Sequence, residues 1–97
     1  MREASIILPH TMSHEPHTAM RHLLLTHFGG YTTHEVSGAW RDPDTGIVHN
    51  DQSTCFIVAS NTGPNMLYHI AEECGKMAGQ ICVYVKGFDG EVTFVQC

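Results

Sequence analysis

Residues 31–59 read YTTHEVSGAWRDPDTGIVHNDQSTCFIVA. Both halves of this stretch are rich in Thr, Val, Ile and aromatic residues and show no helical period, which is typical of β-strands. Between them, residues 42–46 (Asp-Pro-Asp-Thr-Gly) have the composition of a turn, because Pro fixes φ and Gly adopts a positive φ. The stretch therefore predicts a long hairpin, with strands over residues 31–41 and 47–59.

A helix is predicted before this hairpin. Ser13, followed by Glu15 and Pro16, indicates its start, since Pro is tolerated in a first helical turn, and Gly29-Gly30 indicates its end. One stripe of the helix is expected to face the core. That stripe comprises Ala19, Met20, Leu23, Leu24, His27 and Phe28.

A second helix is predicted after the hairpin. Asn61-Thr62-Gly63-Pro64 indicates its start and Gly79 its end. Glu72 and Lys76 are spaced to pair on its exposed side. Its apolar positions recur at i, i+3, i+4 and i+7, so we expect them to be buried: Leu67, Ile70, Ala71, Cys74, Met77 and Ala78.

Short β-rich segments over residues 4–8, 81–85 and 91–95 supply the remaining predicted strands. The order is then β-α-β-β-α-β with one extra carboxy-terminal strand. This order predicts an α+β fold, a ferredoxin-like two-layer sandwich whose antiparallel sheet carries both helices on one face. At 97 residues, we expect a single domain over residues 1–97.

The composition argues against several classes of protein. Five Lys and Arg against ten Asp and Glu give a net charge of −5, and the scattered basic residues disfavour nucleic-acid binding. The apolar runs are far shorter than the about 20 residues of a membrane span, and the amino terminus lacks the apolar region of a signal peptide. The four cysteines form no CxxC pair. A cytoplasmic protein with reduced thiols is expected.

The predicted strands are apolar on both faces. Phe56 and Val58 are on one face of their predicted strand, and Cys55 and Ile57 are on the other face. In its own strand, Tyr84 is on the face opposite to that of the alternating aliphatic residues. Two helices cover one face, so the other face needs a cover. A second copy of the chain is the favoured cover, which predicts a homo-oligomer. The alternative is that amino-terminal or loop residues fold beneath the sheet.

Trp40 and Asp51 are the main candidates for a binding site. They flank the predicted turn, so antiparallel pairing brings them to one end of the hairpin. An indole face and a carboxylate both attract a cation, which predicts a positively charged small ligand. The alternative is that Trp40 caps the hairpin and Asp51 is solvated. The loop Pro9-His10-Thr11-Met12, which follows the first strand, is a second predicted wall of the site.

The eight histidines raise the question of a metal site. His10, His14 and His17 could converge on one transition-metal ion. No HExxH pattern supports that interpretation, and Glu15 has the wrong spacing, so we expect solvated histidines and no metal. No phosphate-binding loop, serine nucleophile motif or cofactor motif is present either, and the cysteines in apolar stretches should be inert.

Four short motifs resemble a group of small phage-encoded proteins that includes the phage S-adenosylmethionine (SAM) lyases. The motifs are Phe28-Gly29-Gly30-Tyr31, Ser37-Gly38-Ala39-Trp40, Asp51-Gln52-Ser53-Thr54 and residues 78–85 (AGQICVYV). The resemblance covers about residues 19–95 and includes the order of the elements. It implies a ferredoxin-like subunit that assembles as a trimer and holds its ligand between subunits.

The resemblance also implies an activity. In these lyases the carboxylate of SAM attacks its own γ-carbon, which releases methylthioadenosine and leaves homoserine lactone. The positions of the family's Tyr and Glu fall on Trp40 and Asp51, which become the expected catalytic residues. The expected substrate-binding residues are Pro9, His10, Thr11, Met12 and Ser53.

The replacement of Tyr by Trp and of Glu by Asp favours a second hypothesis. In that alternative the chain is a non-catalytic counter-defence protein of a phage, which sequesters a nucleotide or docks on a host protein through its apolar sheet face.

Overall fold

The helices and strands were located in a computed structural model of the chain, which describes residues 1–61 and 64–97. They follow the order β1 (Arg2–Pro9), α1 (Glu15–Phe28), β2 (Thr32–Arg41), β3 (Val48–Ser60), α2 (Asn65–Met77), β4 (Cys82–Lys86) and β5 (Val92–Gln96). The predicted order of elements is confirmed, and β1 is longer than predicted at both ends. Thr62 and Gly63, part of the predicted start of α2, lie outside the described residues.

The strands form one antiparallel sheet in the order β2-β3-β1-β4-β5. The central strand β1 pairs on both sides, so that Ile6 lies between Phe56 of β3 and Val85 of β4. The last strand adds to the outer edge of β4. This is the predicted α+β sandwich of the ferredoxin-like type with an extra carboxy-terminal strand.

The core fills the space between the two helices and one face of the sheet. Alternate residues of each inner strand point toward the helices, as the two-residue repeat of a strand requires. The buried apolar residues of the strands are Ala4, Ile6, Leu8, Phe56, Val58, Val83 and Val85, and those of the helices are Met20, Leu24, Leu67, Ile70, Ala71 and Cys74.

Two predicted core positions are wrong. His27 is exposed, because it lies in the last turn of α1 at the margin of the core, where Phe28 is itself only half-buried. Met77, in the last turn of α2, is also exposed. The imidazole that α1 buries is instead that of His17, near the start of the helix. The predicted pair on α2 is present, with Lys76 Nζ 3.4 Å from Glu72 Oε1.

The face of the sheet opposite the helices carries apolar side chains. Ile7, Cys55 and Tyr84 are half-buried there, and Phe94 is 59% exposed. Both helices pack on the other face, so within residues 1–61 and 64–97 no helix covers these side chains. We call this surface the open face. The four cysteines are free thiols, of which Cys74 is fully buried. None of the described helices is long and apolar enough to cross a membrane.

Candidate functional site

The turn between β2 and β3 sets the register of the hairpin. Asp42 Oδ1 accepts hydrogen bonds from the backbone N–H groups of Asp44, at 2.8 Å, and Thr45, at 3.4 Å. The N–H of Gly46 donates to the carbonyl of Asp42 at 2.8 Å, and the φ of 73° at Gly46 is the positive value predicted for this position. The turn could be predicted from its composition because these hydrogen bonds are all formed between residues close in the sequence.

This register places Trp40 and Asp51 on the same face. Gly38 lies opposite Asp51, and Trp40 lies opposite His49. Since side chains alternate along a strand, residues 38 and 40 of β2 share a face with residues 49 and 51 of β3. Trp40 and Asp51 are therefore diagonal neighbours on the open face.

His49 supports the indole of Trp40. The two rings stack with centroids 4.6 Å apart and an angle of 19° between their planes. The indole nevertheless remains 51% exposed, which is a large exposed aromatic surface for the sole tryptophan of the chain. The stack fixes the orientation of the ring while leaving half of its surface available for contact.

A cavity of about 750 Å³ lies on the open face beside these residues. Its walls come from β1, β2 and β3 on one side and from residues 79–84 and Phe94 on the other. Most of the lining is apolar and includes Ile7, Val36, Ile81 and Tyr84. We call it the open-face cavity. Its volume lies within the range of about 300–1,000 Å³ that is usual for small-molecule pockets.

Asp51 determines the charge of this cavity. Among the described residues that line it, Asp51 supplies the only carboxylate, and neither Lys nor Arg is present. Asp51 is exposed, so its attraction for a cation is modest in the open chain and would grow in a cavity closed from water, where the local dielectric constant is lower. The cavity therefore suits a ligand that combines a positive charge with a large apolar or aromatic surface.

The structure divides the predicted substrate-binding residues into two groups. Pro9 and Ser53 are register partners and line the open-face cavity together with Trp40 and Asp51. The residues that follow Pro9 do not join them. His10 and Thr11 line a smaller cavity of about 120 Å³ on the helix-covered side of the sheet. Met12 is fully exposed and lines neither of the two cavities.

The smaller cavity holds a polar cluster that sequence reasoning did not find. His10 Nε2 lies 2.8 Å from Glu35 Oε2 and 2.9 Å from Thr54 Oγ1, and the Thr54 hydroxyl donates to Glu35 Oε1 at 3.1 Å. Glu35 and Thr54 are register partners in the hairpin. Their pairing follows from the hairpin register, but the contact with His10 depends on how β1 packs beside β3.

His17 completes this cluster from α1. Its Nε2 donates to the carbonyl of Leu8 at 3.2 Å, and its ring packs against that of His10 with centroids 5.1 Å apart. Burial lowers the pKa of His17 below 6.5, which outweighs the opposing effect of the hydrogen bond to Leu8. The imidazole is thus held in its neutral form near neutral pH.

Comparison with known proteins identifies the fold. No family profile and no curated protein matches the chain. Among solved structures, the chain is similar to a phage SAM lyase in complex with S-methyl-5'-thioadenosine, with a TM-score of 0.74 and 12% identity over 98% of this chain and 88% of that chain. It is also similar to a phage SAM lyase in the apo state, with a TM-score of 0.69, 12% identity and the same coverage. The chain therefore has the fold of the phage SAM lyases, as its short motifs implied.

Proposed function

We propose that the chain is a SAM lyase-like enzyme that acts on SAM, or on a conjugate of SAM, at a seam between identical subunits. One observation carries this proposal: Trp40 and the lone carboxylate Asp51 share a mostly apolar cavity of adenosyl-ligand size. The similar phage SAM lyase was solved with S-methyl-5'-thioadenosine, which is the thioether that cleavage of SAM would release.

The proposed reaction needs no proton transfer. A carboxylate oxygen of the substrate forms a bond to its own γ-carbon, and the bond from that carbon to sulfur breaks with its electron pair moving to sulfur. The sulfonium becomes the neutral thioether of methylthioadenosine, and the remainder closes as homoserine lactone. Water, an oxidant and an added base are all unnecessary, so a cavity without a histidine suffices.

An apolar cavity favours this reaction because charge disappears as it proceeds. A negative carboxylate and a positive sulfonium are both neutralised, whereas water stabilises the separated charges of the starting state. Ile7, Val36 and Phe94 belong to the cavity wall and would exclude water from the substrate. The same wall would hold the substrate folded, with its carboxylate near its γ-carbon, so that attack requires little reorganisation.

Trp40 and Asp51 have distinct roles in this proposal. The quadrupole of the indole attracts the sulfonium, and the exposed half of the ring offers the surface for that contact. This contact binds and positions the substrate and does not itself lower the barrier, because the attraction weakens as the sulfonium charge is lost. Asp51 pairs with the α-ammonium group of the substrate, whose charge does not change during the reaction. That pairing orients the amino-acid part of the substrate without opposing the loss of charge at sulfur.

A second copy of the chain would close the cavity. The open face presents Phe94 at 59% exposure, and Ile81, which lines the cavity, is 84% exposed. Apolar surface of this kind is stabilised when a subunit packs over it. The resemblance to the phage SAM lyases favours a trimer. Association would bury the open face and convert an open concavity into an enclosed pocket between subunits.

The decisive experiment incubates the purified protein with SAM and measures methylthioadenosine and homoserine lactone by liquid chromatography and mass spectrometry. We expect both products in equal amounts.

Asp51→Asn should lower kcat/KM about tenfold or more, since it removes a charge-assisted contact. Asp44→Asn, an exposed carboxylate in the turn, is the matched control and should leave activity unchanged. Recovery of intact SAM, or full activity in Asp51→Asn, would contradict the proposal.

Sequestration of an adenosyl ligand is the second candidate function. The observation that favours it is the presence of Trp40 and Asp51 where the family has Tyr and Glu, since Trp lacks a phenol and Asp is one methylene shorter. The same incubation distinguishes the two functions. Tight binding of SAM by calorimetry, with the ligand returned intact, would assign the chain to sequestration.

A further inference from the structure

The outer edge of β2 has no partner strand among residues 1–61 and 64–97. β2 is the first strand in the sheet order, and it pairs with β3 alone. That pairing is continuous from Thr32 to Arg41, so the free edge is ten residues long and regular. Long edge strands are usually protected by Pro, Lys or a bulge, because exposed backbone groups recruit another strand. β2 contains neither Pro nor Lys. This edge is therefore open to a further strand.

Backbone hydrogen bonds determine which residues of β2 face this edge. The N–H of Asp42 donates to the carbonyl of Ile47 at 2.9 Å, one step beyond the opposed pair of Arg41 and Val48. Hydrogen-bonded and non-hydrogen-bonded pairs alternate along an antiparallel ladder. The even-numbered residues of β2 thus bond to β3, and the odd-numbered residues direct their N–H and C=O groups outward. The outward residues are Thr33, Glu35, Ser37, Ala39 and Arg41.

A second copy of β2 fits these outward groups. Two β2 strands related by a two-fold axis pair antiparallel, and each hydrogen-bonded pair then joins two odd-numbered residues. Opposed side chains in an antiparallel pair lie on the same face of the sheet. Glu35 lines the cavity on the helix-covered side, so the outward residues of both copies belong to that side. The helices of the two copies therefore lie together, and their open faces adjoin.

The other edge of the sheet, on β5, is a poorer partner for β2. The N–H of Cys97 donates to the carbonyl of Ile81 at 2.9 Å, so the odd-numbered residues of β5 bond to β4. Its outward residues are even-numbered and include Phe94, whose side chain lies on the open face. Antiparallel pairing of β2 with β5 would therefore place the open faces of the two chains on opposite sides. Their apolar surfaces could then not be covered together.

Charge selects one register for the two copies of β2. Glu35 and Arg41 carry the full charges of the strand, and they face each other when Gly38 lies on the two-fold axis. An axis at Ser37 or Ala39 would oppose both charges to uncharged residues, and an axis at Glu35 or Arg41 would oppose like charges. We propose that two chains pair antiparallel along β2 about an axis at Gly38, with Glu35 of each chain facing the partner's Arg41.

Both charged groups are available for this contact. The side chain of Glu35 is 66% exposed, although it also contacts His10. Arg41 is exposed and donates a hydrogen bond from Nη1 to the carbonyl of Gly46 at 3.1 Å. A guanidinium has five N–H groups, so donors remain for a carboxylate. Exposed ion pairs contribute little to affinity, whereas opposed like charges are unfavourable, so charge determines the register rather than the strength of the contact.

Gly38 suits the position on the axis. At a non-hydrogen-bonded pair the two Cα atoms are about 4.5 Å apart, and two glycines bring no side chains together there. On the same face, Val36 of each chain would oppose the partner's Trp40, an aromatic and β-branched pair of the kind that stabilises sheets. Val36 and Trp40 both line the open-face cavity, so the cavities of the two chains would meet at the axis.

Edge pairing is separate from the proposed closure of the open face and does not depend on the lyase activity. The contact along one strand is smaller than a stable interface, so we expect it to hold only in an assembly that also buries the open face. If that closure forms a trimer, the β2 edges join two trimers. The assembly should then contain an even number of chains of 10.7 kDa each.

Cross-linking tests the position of the axis. Gly38→Cys should form a disulfide with the same residue of the partner on mild oxidation, because a Cα separation of about 4.5 Å is within disulfide range. Non-reducing electrophoresis measures the linked dimer, and peptide mapping identifies the 38–38 link. Val36→Cys is the matched control on the same face: the two copies of residue 36 would be about 14 Å apart, so at least tenfold less dimer is expected. The unmodified chain controls for the four native thiols.

Charge reversal tests the register. Arg41→Glu would oppose two carboxylates, so the mass measured by light scattering should halve while the open-face contact remains. Lys86→Glu makes the same change at the exposed end of β4 and should keep the mass of the unmodified protein. Circular dichroism checks that each variant is folded. The proposal is overturned by the absence of a 38–38 link in folded Gly38→Cys, by an odd number of chains in the unmodified assembly, or by an unchanged mass in Arg41→Glu.

Discussion

Asp51 lies directly across the β2–β3 ladder from Gly38, a residue without a side chain. Gly38 also lines the open-face cavity, and a Cβ built on it would meet no atom within 4 Å. The space beside the Asp51 carboxylate is therefore open because its register partner is glycine. A glycine within a strand weakens the sheet, since it raises the backbone entropy of the unfolded chain and has no side chain to pack against its neighbours.

Gly38→Val should separate stability from ligand binding. The new side chain has room and favours the strand, so the midpoint of thermal unfolding should stay the same or rise. The same side chain would occupy the space beside Asp51, so the affinity for methylthioadenosine should fall about tenfold. Calorimetry measures both quantities, with the oligomeric mass recorded alongside. Gly30→Val is the control outside the cavity, and equal affinity in both variants would show that the ligand binds elsewhere.

Trp40 should report ligand binding by its own fluorescence. It is the sole tryptophan and is half exposed, so its emission in the free protein should resemble that of an indole in contact with water. An adenosyl ligand that covers the ring should shift the emission to shorter wavelength. Trp40→Ala should weaken the binding of SAM, whose sulfonium is cationic, about five- to thirtyfold, by the usual size of a desolvated cation–π contact. His49→Ala removes only the supporting ring and should weaken binding less; an unchanged spectrum on saturation would exclude Trp40 from the contact.

Phe94→Glu should prevent the proposed association of subunits. The side chain is 59% exposed on the open face and touches Tyr84 edge-on, with ring centroids 5.8 Å apart. A carboxylate at that position would lose its hydration if another subunit covered it, which is costly without a partner charge. The mass measured by light scattering should fall to the 10.7 kDa of one chain. Leu25→Glu, at 52% exposure on α1, is the control and should keep the mass of the unmodified protein.

The hairpin and the placement of Trp40 and Asp51 on one face could be predicted because both depend on local interactions. The turn at residues 42–46 is made by bonds between residues no more than five apart. Once that turn is assigned, the register and the two-residue repeat of strands place Trp40 and Asp51 on one face. The helices could be predicted equally well, since the apolar repeat of a helix is visible in the sequence without reference to the rest of the fold.

The polar cluster could not be predicted, because it depends on contacts between distant parts of the chain. Pro9 faces the open-face cavity. His10 is the next residue along the chain, so its side chain lies on the opposite, helix-covered side of the sheet. That reversal separated His10 from Ser53 and brought it to Glu35, 25 positions away in the sequence. The burial of His17 in place of His27 also depends on distant parts of the chain. Which turns of α1 are buried depends on how far the sheet extends beneath the helix.

Cys74 should be the least reactive of the four thiols. Burial raises its pKa from 9.0 to about 11, with a smaller contribution from the charge of Glu73. The folded chain thus holds this proton more tightly than the unfolded chain. Its contribution to stability is complete below pH 9 and is lost as the pH rises through about 11. At pH 8, iodoacetamide followed by mass spectrometry should find Cys74 modified last of the four thiols. Equal rates without denaturant would show that the core around Cys74 opens readily.

Gly75→Ala should destabilise the fold through a collision rather than through backbone strain. A Cβ at this position of α2 would collide with the Sγ of Cys97 and would lie 2.6 Å from Cγ2 of Val83. Val83 is buried and β-branched, so it has little freedom to move away. Although alanine favours a helix over glycine by about 1 kcal/mol, overpacking costs about 1–3 kcal/mol, so a net loss is expected in urea unfolding.

A double variant tests the source of that loss. Cys97→Gly removes the closer of the two contacts, so Gly75→Ala should cost less in that background than in the unmodified chain. The remaining cost then measures the collision with Val83. If Gly75→Ala is as stable as the unmodified chain in both backgrounds, α2 packs farther from β4 and from the carboxy terminus than the close approach at Gly75 indicates.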